Sequence, residues 1–170
     1  MEQADFVQLI SANKGIIIKI CNSYCVNAID REDLAQEIIF SLWKGSKKYD
    51  PDYKFSTWMY RVALNVAISF YRYSKKRANT IPFSDKHLEI EDPSLDYPPL
   101  DPSASEANSS LLQKHIYALK DLDKALIILY FEEKSYKEIA EIMGISETNV
   151  ATKVSRIKER LKHSISTAKK

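Results

Sequence analysis

SYKEIAEIMGISETNVATKVSRIKERLK, residues 135–162, decides how the chain is read. Ser135 with Glu138 three positions later predicts a capping box, in which hydroxyl and carboxylate each take a free backbone amide at a helix start. Tyr136, Ile139, Ala140 and Met143 then recur at helical spacing on one apolar face. Gly144 ends that helix, because the left-handed closing residue is least strained without a Cβ. Ser146 caps a second helix, with Glu147 near its positive end. Val150, Val154, Ile157 and Leu161 make its buried seam, while Lys153, Arg156 and Arg160 recur on another face. Two helices, a tight turn and a basic outer face predict a helix-turn-helix. Its second helix offers Asn149, Thr152, Lys153 and Arg156 to a DNA major groove. Asn and Arg pair with base edges through two hydrogen bonds, and Lys and Thr often take phosphate. The competing reading is an ordinary helical hairpin with a solvated basic face.

Upstream, LLQKHIYALKDLDKALIILYFEE supplies two more helices, broken near Asp121, with Leu126, Leu129 and Tyr130 spaced to cover the hairpin. Before them, residues 79–107 hold five of the six prolines. Proline fixes φ and removes an amide donor, so no long helix persists there. Charge divides the same way. Residues 1–78 carry 12 Lys/Arg against 8 Asp/Glu, residues 79–110 carry 1 against 7, and residues 111–170 carry 12 against 8. Basic blocks suit a polyanion, and the acidic, Pro-rich middle suits a solvated tether. The expected architecture is therefore all-α. It has two small helical domains, residues 1–78 and 108–170, joined by a flexible acidic linker, residues 79–107.

Several classes fall away. With only 3 Gly, neither a glycine-rich phosphate loop nor a turn-rich β fold is expected. No apolar run reaches membrane-spanning length, and the acidic start is unlike a signal peptide, so no membrane insertion and a cytoplasmic location are expected. Cys21 and Cys25 lie four apart in an apolar helical pattern. His87, His115 and His163 are scattered, so the cysteines read as buried structural thiols rather than metal ligands. No cofactor, metal site or catalytic residue is expected: no nucleophile–base pair stands out, and Asp30, Glu32, Asp33 and Glu37 share no single face.

In the first half, Asp30 is a plausible N-cap. Leu34, Ile38 and Leu42 stack inward and leave Asp33, Gln36 and Glu37 outward, which by itself reads as a solvated face. Eight of the chain's aromatic residues then lie between Tyr49 and Tyr73, interleaved with cations. Single-strand binders combine these features, stacking bases on rings while cations follow the backbone. Ser56 is expected to cap a helix whose apolar face is Met59, Val62, Val66 and Phe70. A second stripe, Trp58, Arg61, Asn65, Ser69 and Arg72, suits a nucleic-acid surface better than a core.

Taken together, DREDLAQEIIFSLWKGSKKYDP, FSTWMYRVALNVAISFYR and LKDLDKALIILYFEEKSYKEIAEIMGISETNVATKVSRIKERL, in this order, resemble the extracytoplasmic-function (ECF) class of bacterial RNA polymerase sigma factors. The resemblance implies a first half like region 2, which binds the β′ clamp helices of core RNA polymerase and melts the −10 promoter DNA. It implies a second half like region 4, which binds the β flap and reads the −35 element. The acidic linker stands in for region 3. An anti-sigma factor is an optional further partner. On the matching motifs, Asp33, Gln36 and Glu37 fall on the clamp-binding helix. The loop from Tyr49 to Phe55 falls where a flipped −10 base is captured. Trp58, Arg61 and Asn65 fall on the melting helix, and Thr152, Lys153 and Arg156 on the −35 helix. The chain departs from the pattern at Ser69, where an acid is common, at Ala151, where a basic residue is common, and at LKDLDKA, which lacks the usual proline. A stand-alone helix-turn-helix regulator of duplex DNA is the alternative, and it leaves the aromatic stripe and DLAQE unused.

Overall fold

The computed structural model describes residues 3–80 and 106–168, and all regular elements in them are helical. In chain order they are α1 (Gln3–Ala12), α2 (Lys14–Tyr24), α3 (Ala28–Gly45), a short 3-10 turn at Ser46–Lys48, α4 (Phe55–Thr80), α5 (Glu106–Tyr117), α6 (Asp121–Phe131), α7 (Tyr136–Met143) and α8 (Glu147–Ala168). The expected tether lies outside the described residues, apart from its first and last two positions, which extend α4 and α5. No helix among the described residues is long and apolar enough to cross a membrane.

The first helical unit is built by α2, α3 and α4 around Ile20, Leu34, Ile38, Leu42, Met59 and Leu64, all fully buried. Burial of each such side chain contributes about 1.5–3 kcal/mol. Three local expectations are corrected here. Asp30 does not cap α3. Asn27, in extended conformation (φ −87°, ψ 158°), does so, its side-chain oxygen accepting the Asp30 amide at 2.7 Å. Asp30 sits in the first turn, where its carboxylate accepts from the Asn27 side-chain amide at 2.7 Å. Ser56 does not cap α4, since the helix already begins at Phe55 and the Lys54 carbonyl receives the Thr57 and Trp58 amides. The buried face of α4 is also turned from the expected one. Met59, Tyr60, Ala63, Leu64, Ala67 and Ile68 are inside, while Val62, Val66 and Phe70 pack only partly against the core. The reason is that α4 touches α2, α3, α6 and α7 at once, so its apolar sector is wide and its centre is set by neighbours.

The second unit is built by α5 to α8 around Leu126, Leu129, Ile139, Val150, Val154 and Ile157. Helix α6 is its keystone. Six consecutive residues, Lys124 through Leu129, are buried, as a helix with neighbours on every side requires. α7 and α8 cover one side of it, and α2 and α4 of the first unit meet the other. Cys21 and Cys25 are buried free thiols, and burial pushes them up to about 11 and about 12. That is the behaviour of inert packing residues.

Candidate nucleic-acid interface

The hairpin is assembled by purely local chemistry. Ser135 Oγ accepts the Glu138 amide at 3.2 Å, and the Glu138 carboxylate accepts the Ser135 amide at 3.0 Å. That backbone hydrogen bond, aided by the Ser135 hydroxyl, Lys134 and Lys54, holds the Glu138 carboxyl below its usual range. Gly144 takes φ 67°, closing α7 in the left-handed conformation. Ser146 Oγ accepts the Asn149 amide at 3.2 Å and starts α8. Val150, Val154, Ile157 and Leu161 then face inward. Asn149, Thr152 and Arg156 lie exposed on the outer side, and Lys153 is half-buried beside them. Arg156 has no ion-pair partner among the described residues. Arg160 is already engaged, its guanidinium 2.6 Å from Asp123 of α6, so it braces α8 rather than extending the free basic face.

On the first unit, Tyr49, Phe55 and Trp58 come together. Their ring centroids lie 5.5 Å (Tyr49–Phe55), 5.1 Å (Tyr49–Trp58) and 5.4 Å (Phe55–Trp58) apart, in tilted or edge-on arrangements that the ring quadrupoles favour. Tyr49 also donates its hydroxyl to the Tyr53 carbonyl at 2.6 Å, which pins the loop. Trp58 is half-buried in this cluster, whereas Arg61, Asn65, Ser69 and Arg72 continue the stripe along an exposed face of α4. The last of these, Arg72, is drawn into an ion pair with Asp121 of α6. Asn65 and Ser69 share a cleft of about 460 Å³ with Glu37, Ser41, Val66, Phe70 and Tyr73. Tyr53, which is 61% exposed, is the ring of the loop that stands free in solvent.

Asp33, Gln36 and Glu37 are exposed on α3, as the Leu34–Ile38–Leu42 seam requires. Beside them lies a feature that sequence reasoning missed. Ile39, Phe40 and Trp43 of α3, with Val7 of α1, leave large apolar surface in solvent, and Phe40 is 62% exposed. With Phe6 and Gln36 they line an open cleft of about 410 Å³. The signal was present in IIFSLW: once one helical seam is assigned to the core, the remaining apolar residues have nowhere to go. Contiguous exposed apolar surface of this kind marks a protein contact. The structure thus presents three candidate surfaces: a basic hairpin face, an aromatic loop with a cationic stripe, and an apolar face edged by Gln36 and Glu37, the last two adjoining where Glu37 meets the cleft of Asn65 and Ser69.

Comparison with known proteins finds a family match on each of the two helical units. Residues 9–77 match Sigma-70 region 2, and residues 111–161 match Sigma-70, region 4. The ECF RNA polymerase sigma factor SigW of Bacillus subtilis (strain 168) is 30% identical over 169 residues, covering 95% of this chain and 89% of that protein. The RNA polymerase sigma factor YlaC of the same organism is 31% identical over 132 residues, covering 77% and 75%. Among solved structures, the sigma factor RpoE in complex with the anti-sigma factor NepR from Bartonella quintana matches with a TM-score of 0.71 at 20% identity, covering 95% of this chain and 97% of that one. CnrH in complex with the cytosolic domain of CnrY matches with a TM-score of 0.68 at 19% identity, covering 98% and 90%. These two bear on the fold alone. From the paired family regions and the relatives that match along nearly the whole chain, the protein belongs to the ECF class of the sigma-70 family, the RNA polymerase sigma factors that direct transcription initiation to promoters.

Proposed function

We propose the following division of labour among the three surfaces, with domain limits at residues 1–78 and 108–170. The α3 face, with Asp33, Gln36, Glu37 and the apolar patch around Phe40, docks on the β′ clamp helices of core RNA polymerase. The loop from Tyr49 to Phe55, with Trp58, Arg61 and Asn65, opens and holds the −10 DNA. The exposed face of α8, with Asn149, Thr152, Lys153 and Arg156, reads the −35 element, while the second unit also meets the β flap. The chain acts by binding alone, without a bond-making step or cofactor, and works where the polymerase is, in the cytoplasm. Capturing a flipped base costs a few kcal/mol of unstacking, and each stacked base returns roughly 1–3 kcal/mol. Ring contacts and polymerase contacts together are therefore enough to trap an open strand.

The observation that carries this reading is the outward-facing apolar patch of α3. A solitary DNA-binding hairpin has no use for Ile39, Phe40 and Trp43 in solvent, whereas a polymerase subunit needs a protein contact distinct from its DNA contacts. An anti-sigma partner of the kind held by the Bartonella relative would silence the chain by covering the same patch. The test is co-purification with core polymerase followed by run-off transcription from a promoter library. Retention on core together with sequence-dependent initiation supports the reading. Tight binding of promoter duplex by the isolated protein, with no retention on core, supports the stand-alone regulator instead.

A further inference from the structure

Asp33, Gln36, Glu37, Phe40, Trp43 and Lys44 recur along α3 at three- and four-residue intervals, so they form one stripe, and all are exposed. The 3-10 turn Ser46–Lys48 continues it, because residues three apart eclipse there, and Lys47 is exposed as well. The stripe is acidic at its start, apolar in its middle and basic at its end. Asp33 and Glu37 take no part in an ion pair among the described residues, and neither do Lys44 and Lys47.

These charges are spaced evenly about Phe40. Asp33 lies seven residues before it and Lys47 seven after, while Gln36 lies four before and Lys44 four after. Reversing the helix end for end about Phe40 therefore sets acid on cation at both ends and Phe40 on Phe40. That is the condition for an isologous contact, in which one patch meets itself across a two-fold axis. A partner with an unrelated surface needs no such symmetry.

The relief of the face suits the same contact. Phe40 stands as a ridge between two open clefts, one of about 410 Å³ on the α1 side with Phe6, Val7 and Trp43, the other of about 430 Å³ on the α4 side with Asp33, Glu37 and Phe70. Two antiparallel ridges, offset sideways, each enter the same cleft of the other, as ridges enter grooves in packed helix pairs. Trp43 is already steadied, its ring edge-on to the buried Phe6 at 5.1 Å. Apolar surface supplies the drive to associate, and the flanking charges fix the register.

We propose that two copies of this chain pair through their α3 faces, antiparallel about Phe40, with Asp33 of each copy against Lys47 of the other. The pair buries the face assigned above to core polymerase. A second consequence rests on that assignment: paired chains are withheld from the enzyme, so the supply of usable chain rises less than in proportion to the total.

Sedimentation velocity of the full chain over a concentration series tests the pairing. Wild type shifts from the mass of one chain to that of two as concentration rises. Asp33→Lys and Lys47→Asp each set like charges together twice across the axis, and each weakens self-association at least about tenfold. Both residues are exposed, so melting temperatures stay near wild type. Mixing the two variants restores the double mass, because each supplies the charge that the other lacks at both ends. A mixture no heavier than its components overturns the pairing. So does a wild type that stays at one chain mass throughout, which leaves core polymerase as the occupant of the face. Adding core polymerase where wild type is paired yields one chain per core as the paired species disappears, and two chains per core overturns the withholding. Failure of dilute, unpaired wild type to bind core sinks the polymerase reading alone, and the mass measurements still decide the pairing.

Discussion

Gly45 passes so close to Trp58 that a Cβ added to it would lie 3.3 Å from the indole Cζ2. The last residue of α3 and the first turn of α4 therefore pack closely at that point, with the aromatic loop running between them. Trp58 is thus both a brace for the loop and a member of the ring cluster. Trp58→Ala is expected to cost about 2 kcal/mol in thermal stability, less than the ~3–5 kcal/mol of a fully buried Trp. Closed promoter binding by holoenzyme survives, permanganate reactivity near −10 falls, and a pre-melted template restores transcription. Tyr53→Ala, at an exposed ring, leaves stability within about 0.5 kcal/mol. Its defect persists on the pre-melted template, because strand capture rather than opening is lost.

Arg156 is exposed and has no ion-pair partner among the described residues, so its removal is expected to leave the fold intact. Arg156→Ala weakens promoter binding by about 1–3 kcal/mol and relaxes preference at one −35 position. Lys153→Ala weakens binding evenly across sequences and flattens the salt dependence. Arg160→Ala lowers melting temperature instead, since its partner is Asp123. Competition assays with a −35 mutant panel separate the three.

Phe40 offers a clean separation of polymerase affinity from stability. Phe40→Ala removes a ring already 62% exposed, so the melting temperature stays near wild type. Affinity for core polymerase falls by at least ~1 kcal/mol if the patch is the docking centre. Gln36→Ala and Glu37→Ala, at its edge, give smaller losses. Titration of labelled chain with core enzyme measures all three.

The pH profile of stability has a calculable shape. Lys124 is held down to about 8, chiefly by burial, with Cys25 and Asp121 pulling the other way and Tyr24, Tyr71 and Tyr117 around it. Unfolded, it keeps its proton to higher pH, so folding is favoured as pH rises above 8. Cys21 and Cys25 are pushed up to about 11 and about 12, so the unfolded thiols release protons first and folding is disfavoured above about pH 9. Denaturant unfolding of wild type is expected to show a shallow rise from pH 8 to 9 and then a decline. Lys124→Met removes the rise and leaves the decline.

The hairpin was legible in the sequence because everything that makes it is local: Ser135 with Glu138, Gly144, Ser146, and a seam at helical spacing. The α4 face was less so. Between Met59 and Tyr71 most positions are apolar, and periodicity cannot choose a centre when neighbours press from several sides. Asn27 and Asp30 are both eligible caps by residue type, and only backbone geometry selects Asn27. Lys124 gave no warning at all. A lysine in DLDKALIILY reads as a solvent-facing interruption, and two of the three rings around it, Tyr24 and Tyr71, come from distant parts of the chain.

The packing of α6 against α2 and α4 leaves the outer face of α8 and the outer stripe of α4 in solvent together: Asn149, Arg156, Arg61 and Asn65 are all exposed. Under the proposed division of labour, two weak contacts on one duplex multiply only when the spacing lets both form, and the gain vanishes when it does not. The separation of the two faces, rather than the strength of either, then sets how tightly a duplex is held.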